Sequence, residues 1–268
     1  MNEKETVEEP RETIPAVGAS WWKILMVWTR QEVTLLLREP VAIFFSMMFP
    51  IIMYVFIGIP YGNKEIGDGI KFIDAMFSAL VVSVVANLLL MGLPIYLAEL
   101  RSKGVDKRYA ILPLPGGVFI WAVLLATLTL VLAATTIIIV VVAIRDGIRP
   151  QLWDLQYLAL ALGSVIWLSA LGFFIGALRI SSRTTQALSA VLFFTMFFGS
   201  GAAVPLEGLP EVLQHILEWN PLKQWLDVMI DVYVGRRPSD TKYLKLLMAI
   251  PLTLVCAFAG LHLWKQRH

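Results

Sequence analysis

The chain has 268 residues, of which 58% are hydrophobic and 16% are charged, and its formal net charge is +2. This composition excludes a soluble domain of this size, because too few polar side chains remain to cover its surface. The small, scattered positive charge gives no sign of a nucleic-acid partner, and the single cysteine, Cys256, excludes an intrachain disulfide.

Residues 1 to about 18 are more acidic than the rest of the chain. They contain five glutamates together with Pro10 and Pro15. A segment of this composition buries too little apolar surface to fold alone, so we expect a disordered cytoplasmic tail. Residues 19–268 are then predicted to form one transmembrane domain.

Residues 20–38, SWWKILMVWTRQEVTLLLR, predict an amphipathic helix in the cytoplasmic membrane interface. At 100° per residue the polar and apolar side chains separate onto two flanks. The polar flank holds Lys23, Arg30, Gln31, Thr34 and Arg38. The apolar flank, with its indoles expected at headgroup depth, holds Trp21, Leu25, Trp28, Leu35 and Leu36. Glu32 projects into the apolar face, where it either extends back to water or contacts a cation of a partner protein.

Six later stretches are apolar and long enough to cross a bilayer, which takes about 20 residues because the backbone must satisfy its own hydrogen bonds there. They are residues 41–59, 75–98, 116–144, 155–178, 184–206 and 246–264, and none contains Asp, Glu, Lys or Arg. In the fourth, Gly172 and Gly176 form a G-x-x-x-G pair that we expect to pack within the chain. The predicted fold is an all-α membrane protein with six transmembrane helices.

The distribution of cations between the loops predicts the orientation of these helices. With six spans, thirteen of the 22 Lys and Arg residues lie on the side of the two termini. The excess is clearest in the short segment after the second span. We therefore expect both termini in the cytoplasm and the segment between the fifth and sixth spans outside.

Residues 99–117, ELRSKGVDKRYAILPLPGG, continue the second span into the cytoplasm and turn back at two prolines. The segment carries four cations and a glycine before the first of these prolines, Pro113. It is either a short exposed helix that a cytoplasmic partner contacts or a solvated charged loop. The composition alone favours neither.

Residues 200–222, SGAAVPLEGLPEVLQHILEWNPL, are unusual for a connector because they hold three prolines between two strongly apolar stretches. Residues 210–219 and 222–234 each place apolar side chains at helical spacing. Pro210 suits a helix start, and Asn220-Pro221 ends one turn and begins the next. Neither piece is long enough to span, so we expect short re-entrant or interfacial helices between the fifth and sixth spans.

These 268 residues contain no recognisable site for ATP hydrolysis, ion coupling, hydrolytic catalysis or metal binding. No G-x-x-x-x-G-K-[ST] loop is present to hold ATP, and no charged residue lies within a predicted span to carry ions. Ser200 and His262 lie at opposite membrane depths, too far apart for a hydrolase pair, and the three histidines make no metal site. Asn87, inside the second span, either bonds to another helix or lines a substrate path.

Three groups of residues resemble motifs of ABC-2 type transporter permeases, in the family's order and from about residue 20 onward. The group after the fifth span is Ser200-Gly201, Pro205, Leu209-Pro210, Asn220-Pro221-Leu222 and Gly235. The group of the interface helix and first span is Glu32, Arg38-Glu39-Pro40 and Pro50. The group of the coupling segment is Arg101, Gly104 and Pro113. This chain has Val105-Asp106-Lys107-Arg108 where the family often has Thr-Leu-Glu.

The resemblance implies a function and a set of partners. The chain would be the permease subunit of an ABC exporter in a cytoplasmic (inner or plasma) membrane. Two copies of a separate ATPase would bind ATP and Mg²⁺, and a second permease chain, identical or similar, would complete the complex. The chain looks closer to the branch that exports drugs, antibiotics, peptides or lipids. The alternative is a membrane protein that works without nucleotide, such as a channel or a lipid-modifying enzyme.

The resemblance also implies roles for particular residues. Those that would couple ATPase motion to the spans are Glu32, Arg38, Glu99, Arg101, Lys103, Gly104, Lys107, Arg108 and Pro113. Those that would form an extracytoplasmic gate are Ser200, Gly201, Pro205, Pro210, Asn220 and Pro221. A route between two permease subunits would open outward beneath this gate, and Asn87 is a candidate for its lining.

Overall fold

The computed structural model describes residues 20–38, 48–65, 69–105, 117–201 and 210–265. These residues are helical apart from turns and one isolated antiparallel bridge between Glu65 and Lys71. The helices are α1 (Trp21–Leu37), α2 (Met48–Tyr61), α3 (Phe72–Ser102), α4 (Val118–Arg145), α5 (Leu155–Ala177), α6 (Ser182–Phe198), α7 (Glu211–Glu218), α8 (Pro221–Tyr233), α9 (Asp240–Leu247) and α10 (Ala249–Lys265). A 3₁₀ turn, Pro150–Trp153, precedes α5.

Within the described residues, four helices are long and apolar enough to cross a membrane. They are α3, α4, α5 and the α9–α10 pair, taken together as Asp240–Trp264. The predicted first span corresponds to α2, and residues 41–47 of it lie outside the described residues. The predicted fifth span corresponds to α6, which has 17 residues, and residues 202–206 lie outside as well. The all-helical character is confirmed for the described ranges, and the count of six spans stays a prediction.

α3 is the central helix of the bundle. In its most apolar stretch 83% of the residues are buried, against 17% for Asp240–Trp264. It contacts α4, α5, α6 and α8. A helix that is apolar on all sides is either enclosed by protein or exposed to lipid. α3 is enclosed, so the other helices are arranged around it.

α5 packs on α3 through the two glycines of its G-x-x-x-G pair. A Cβ atom at Gly172 would lie 1.9 Å from the carbonyl oxygen of Leu89, and one at Gly176 would lie 2.8 Å from Cδ1 of Leu97. Leu89 belongs to the π-helical turn Asn87–Gly92 within α3. Only glycine allows two helix backbones to approach this closely. The prediction that this pair packs within the chain is confirmed.

α1 packs along the beginning of α4. Leu25 is 3% exposed and lies in a small core with Val118 and Ala122, against which Trp21 and Trp28 also pack. Three residues of the predicted apolar flank are therefore covered by α4, whose small and β-branched side chains allow a close approach. Leu35 of the same flank is 38% exposed, and the position of α1 in the membrane interface stays a prediction.

α7 and α8 occupy the segment where short amphipathic helices were predicted. α8 begins at Pro221, and its apolar face is buried, with Leu222, Leu226 and Met229 each at most 2% exposed. α7 follows Pro210 and leaves Val212 exposed. The two helices therefore differ: α8 belongs to the packed bundle, and α7 lies on its surface.

Replacing Gly172 by alanine is expected to destabilise the protein by about 1–3 kcal/mol, because the added methyl group collides with backbone that cannot move aside. The thermal-unfolding midpoint of the detergent-solubilised chain measures the effect. Gly92→Ala is the matched control, since a Cβ atom at this helical glycine meets nothing closer than 3.9 Å. Equal midpoints for the two variants would contradict the close approach of α5 to α3.

Candidate functional site

Apart from Asn87, the residues singled out from the sequence fall into two groups at opposite ends of α3. One group lies at its carboxyl end, where Tyr96 and Arg101 contact α1 and the α5–α6 turn. The other lies near its amino end, where Asp74 contacts Arg149 in the loop before α5. The first is the predicted cytoplasmic side and the second the predicted extracytoplasmic side.

Glu32 joins α1 to α3. It is 1% exposed on the buried face of α1, and the Tyr96 hydroxyl donates a hydrogen bond of 2.5 Å to its Oε2 atom. A carboxylate at such a position is retained only when it is hydrogen-bonded, because burying its charge is costly. The expectations for Glu32 were water or a cation of a partner protein, and within the chain the structure supplies a tyrosine 64 positions away. The contact with a partner's cation stays a prediction.

Arg101 joins the end of α3 to the turn between α5 and α6. Its Nη1 atom donates to the carbonyl oxygens of Gly176 at 2.9 Å and Leu178 at 2.6 Å, and its Nη2 atom donates to that of Ile180 at 3.0 Å. The last carbonyls of a helix have no partner within it and carry partial negative charge. The planar guanidinium fork serves several of them at once, so Arg101 caps α5.

The remaining predicted coupling residues lie on the surface beside this contact. Glu99 and Lys103 form an exposed pair with 3.7 Å between charged atoms. Gly104 has a φ of +66° with open space around its Cα, a left-handed geometry typical of the residue that ends a helix. Arg38 is exposed at the end of α1. The predictions for Lys107, Arg108 and Pro113 fall outside the described residues.

At the other end, three predicted gate residues lie at the end of α6 and the start of α8, and one of them, Asn220, joins the two helices. Asn220 Oδ1 accepts a hydrogen bond from the Leu222 amide at 2.9 Å, and its Nδ2 atom donates to the Met196 carbonyl at 2.8 Å. Pro221 is the first residue of α8. The Ser200 hydroxyl donates to the Phe197 carbonyl at 2.7 Å, an interaction within the end of α6.

The other predicted gate residues lie around this junction. Gly201 follows with a φ of +80°, a left-handed conformation that favours glycine. Pro210 immediately precedes α7. The prediction for Pro205 falls outside the described residues.

Trp225 anchors α8 inside the bundle, a role that the sequence did not reveal. Its indole Nε1 atom donates to the Leu160 carbonyl at 3.0 Å. A Cβ atom at Gly163 would lie 2.7 Å from the indole ring, so the glycine makes room for it. Both contacts are with residues of the first half of α5, so α8 packs against that part of the helix.

A polar network ties α8 to the helices around it. Asp74 accepts two hydrogen bonds from Arg149, at 2.8 and 2.7 Å, and these raise the pKa of Arg149 above its ordinary value. The backbone amide of Arg149 donates to the Tyr233 hydroxyl at 3.2 Å. Lys242 at the start of α9 pairs with Asp231. These charged residues lie next to apolar segments in the sequence. Their pairing becomes visible only in the folded structure.

Asn87 lies inside the bundle at the start of the π-helical turn of α3, and it is 9% exposed. Among the described residues its side-chain amide has no hydrogen-bond partner. The interhelical hydrogen bond considered for it is therefore not formed. The role of Asn87 in the lining of a substrate path stays a prediction.

Replacing Arg101 by glutamine is expected to lower stability by about 1.5–3 kcal/mol, because three carbonyl oxygens lose a charged donor. The free energy of unfolding in detergent measures the loss. Arg183→Gln, at an exposed arginine on the same end of the bundle, is the control and is expected to change stability by less than about 0.5 kcal/mol. An unchanged free energy of unfolding in Arg101→Gln would show that the cap contributes nothing to stability.

A double-mutant cycle on Asp74→Ala and Arg149→Ala is expected to give a coupling energy of about 1–3 kcal/mol, because the acid is largely buried and bound through two hydrogen bonds. The same cycle on Glu99 and Lys103, whose side chains are 44% and 64% exposed, should give about 0.5 kcal/mol or less. Unfolding free energies of the single and double variants supply both values. Equal coupling in the two cycles would contradict a structural role for the Asp74–Arg149 pair.

Comparison with known proteins relates this arrangement to a family. The family model for the ABC-2 type transporter matches residues 24–234. A protein of Bacillus subtilis (strain 168) named "Putative transport permease YvfS" is 27% identical over 192 residues, which are 71% of this chain and 77% of that protein. The family match runs from α1 to the end of α8 and includes both groups of residues.

Proposed function

Because the chain belongs to the ABC-2 type transporter family, we propose that it is the membrane-spanning subunit of an exporter driven by a separate ATPase. The family and the long apolar helices make it a membrane permease of an ABC transporter. The proposal adds the direction of transport, the partners and the cargo. It places the chain in a cytoplasmic membrane with both termini inside.

The observation that supports coupling best is the way the carboxyl end of α3 is held. Glu32 binds Tyr96, and Arg101 binds the carbonyls at the end of α5. In this proposal a displacement of α1 moves the end of α3 through the first contact, and a displacement of the end of α3 moves α5 through the second. We assign Glu32 and Arg101 to positioning these helices against one another.

The contact with the ATPase is assigned to the surface beside these two residues. Its members are Arg38, Glu99, Lys103, Gly104, Lys107, Arg108 and Pro113. Each permease chain supplies one such surface. Because two ATPase subunits close on ATP as a pair, the complex needs a second permease chain, which is either identical or similar.

The gate is assigned to the junction of α6 and α8, where Asn220 links the two helices. Ser200, Gly201, Pro205, Pro210 and Pro221 surround this junction and would rearrange with it. The cargo is assigned to amphipathic or lipid-like molecules, which include drugs, antibiotics and peptides. The exposed, mainly apolar face of α6, with Val191 66% exposed, and the unpaired amide of Asn87 suit a molecule of this kind.

Replacing Gly104 by leucine is expected to lower ATPase stimulation by the permease about tenfold, a typical size for coupling between two sites. The complex of the full chain with its co-purifying ATPase is reconstituted in vesicles, and phosphate release is measured with and without the permease. Gly147→Leu is the matched control, because Gly147 also has a positive φ and open surroundings but lies at the opposite end of the bundle.

Equal loss in both variants would attribute the effect to backbone strain and contradict the coupling assignment. A chain that moves or modifies its substrate in vesicles without any ATPase would contradict the proposed function itself and favour a channel or a lipid-modifying enzyme. Co-purification of a polypeptide with a phosphate-binding G-x-x-x-x-G-K-[ST] loop separates these classes before any substrate is known.

A further inference from the structure

A polar cavity of about 390 Å³ opens at the end of the bundle where α3 begins and α4 ends. Its charged and amide lining comes from the segment before α3, from the start of α3, from the end of α4 and from the α4–α5 loop. These residues are Asn63, Lys71, Asp74, Arg145, Asp146 and Arg149. The cavity therefore collects three cations and two carboxylates into one space.

The carboxylates of the cavity are already engaged, and two of its cations are not. Asp74 is bound through both oxygens by Arg149, and Asp146 accepts a hydrogen bond from the Tyr54 hydroxyl. Among the described residues, Lys71 and Arg145 have no ion-pair or hydrogen-bond partner for their side chains. The groups left to meet a ligand are positive, which favours an anion and disfavours a metal cation.

Exposed apolar side chains show where this cavity lies relative to the bilayer. Ile144, 81% exposed, immediately precedes Arg145, and Leu155, 80% exposed, begins α5. Trp153, 74% exposed, lies between the cavity loop and α5, and exposed indoles are typical of headgroup depth. The change from exposed hydrocarbon to charge occurs between residues 144 and 145. The cavity is therefore level with lipid headgroups.

We propose that this cavity binds the phosphate group of an anionic phospholipid, with Lys71 and Arg145 as its ligands. A guanidinium and an ammonium are the side chains that bind phosphate oxygens best, and at headgroup depth the local concentration of such phosphates is high. The Asp74–Arg149 pair holds the cavity wall in place by fixing α3 to the α4–α5 loop. This inference depends on the position of the chain in a bilayer and not on the transport cycle.

The test compares lipids on the purified full chain. Dioctanoyl phosphatidylglycerol is titrated into the detergent-solubilised protein, dioctanoyl phosphatidylcholine serves as the zwitterionic reference, and inorganic phosphate forms a separate arm. The thermal-unfolding midpoint is recorded at each concentration. The wild type is expected to show a saturable rise with phosphatidylglycerol, and the variant Lys71→Gln/Arg145→Gln is expected to need about tenfold more of this lipid.

Two further variants test whether the effect depends on the positive charges inside the cavity. Lys71→Arg/Arg145→Lys retains both charges and is expected to behave as the wild type. Arg237→Gln removes an exposed cation at the same end of the bundle but outside the cavity, and it is also expected to behave as the wild type. Gly235, two residues earlier, lies beside Gln151 of the α4–α5 loop, which places Arg237 at that end.

Three outcomes would overturn the proposal. They are an unchanged titration for Lys71→Gln/Arg145→Gln, an equal weakening in Arg237→Gln, and a rise with inorganic phosphate that matches the rise with the lipid. The first would show that the cavity does not bind the headgroup. The second would show a general charge effect, and the third would assign the cavity to a free anion. None of these outcomes bears on the ATPase partnership.

Discussion

The contact between the backbones of α3 and α5 is the constraint on which the rest of the structure depends. Gly172 lies against the Leu89 carbonyl at a distance that excludes any side chain, and the π-helical turn of α3 is at this place. In a bilayer, apolar area alone gives helices little reason to associate, because lipid is equally apolar. Close packing of small residues supplies the attraction instead, and α3 is enclosed as a consequence.

The ends of the helices follow a second rule, that carbonyl and amide groups without a helical partner must be satisfied. Arg101 does this for the end of α5, and Asn220 does it for the end of α6 and the start of α8. In each case one side chain also joins two elements. The same side chain therefore satisfies a helix end and holds two elements together, so Arg101 and Asn220, predicted for coupling and gating, are structural caps.

The two ends of α3 differ in the kind of contact that holds them. At the carboxyl end a buried glutamate and an arginine reach neighbouring helices, and an exposed pair of opposite charges, Glu99 and Lys103, lies beside them. At the amino end two carboxylates are bound within the chain, and two cations, Lys71 and Arg145, line the cavity without an ion-pair partner among the described residues. The proposed ATPase contact uses the first end, and the proposed lipid site lies at the second.

The sequence by itself determined the helical class and the bounds of the long helices, because apolar length and the absence of charge are local properties. The predicted stretches 116–144 and 155–178 correspond closely to α4 and α5. Only the tertiary structure decided that Tyr96 is the partner of Glu32 and that Arg101 caps a helix 75 or more positions away. The free energy of such contacts depends on the distance between helices, which the spacing of residues along one helix does not encode.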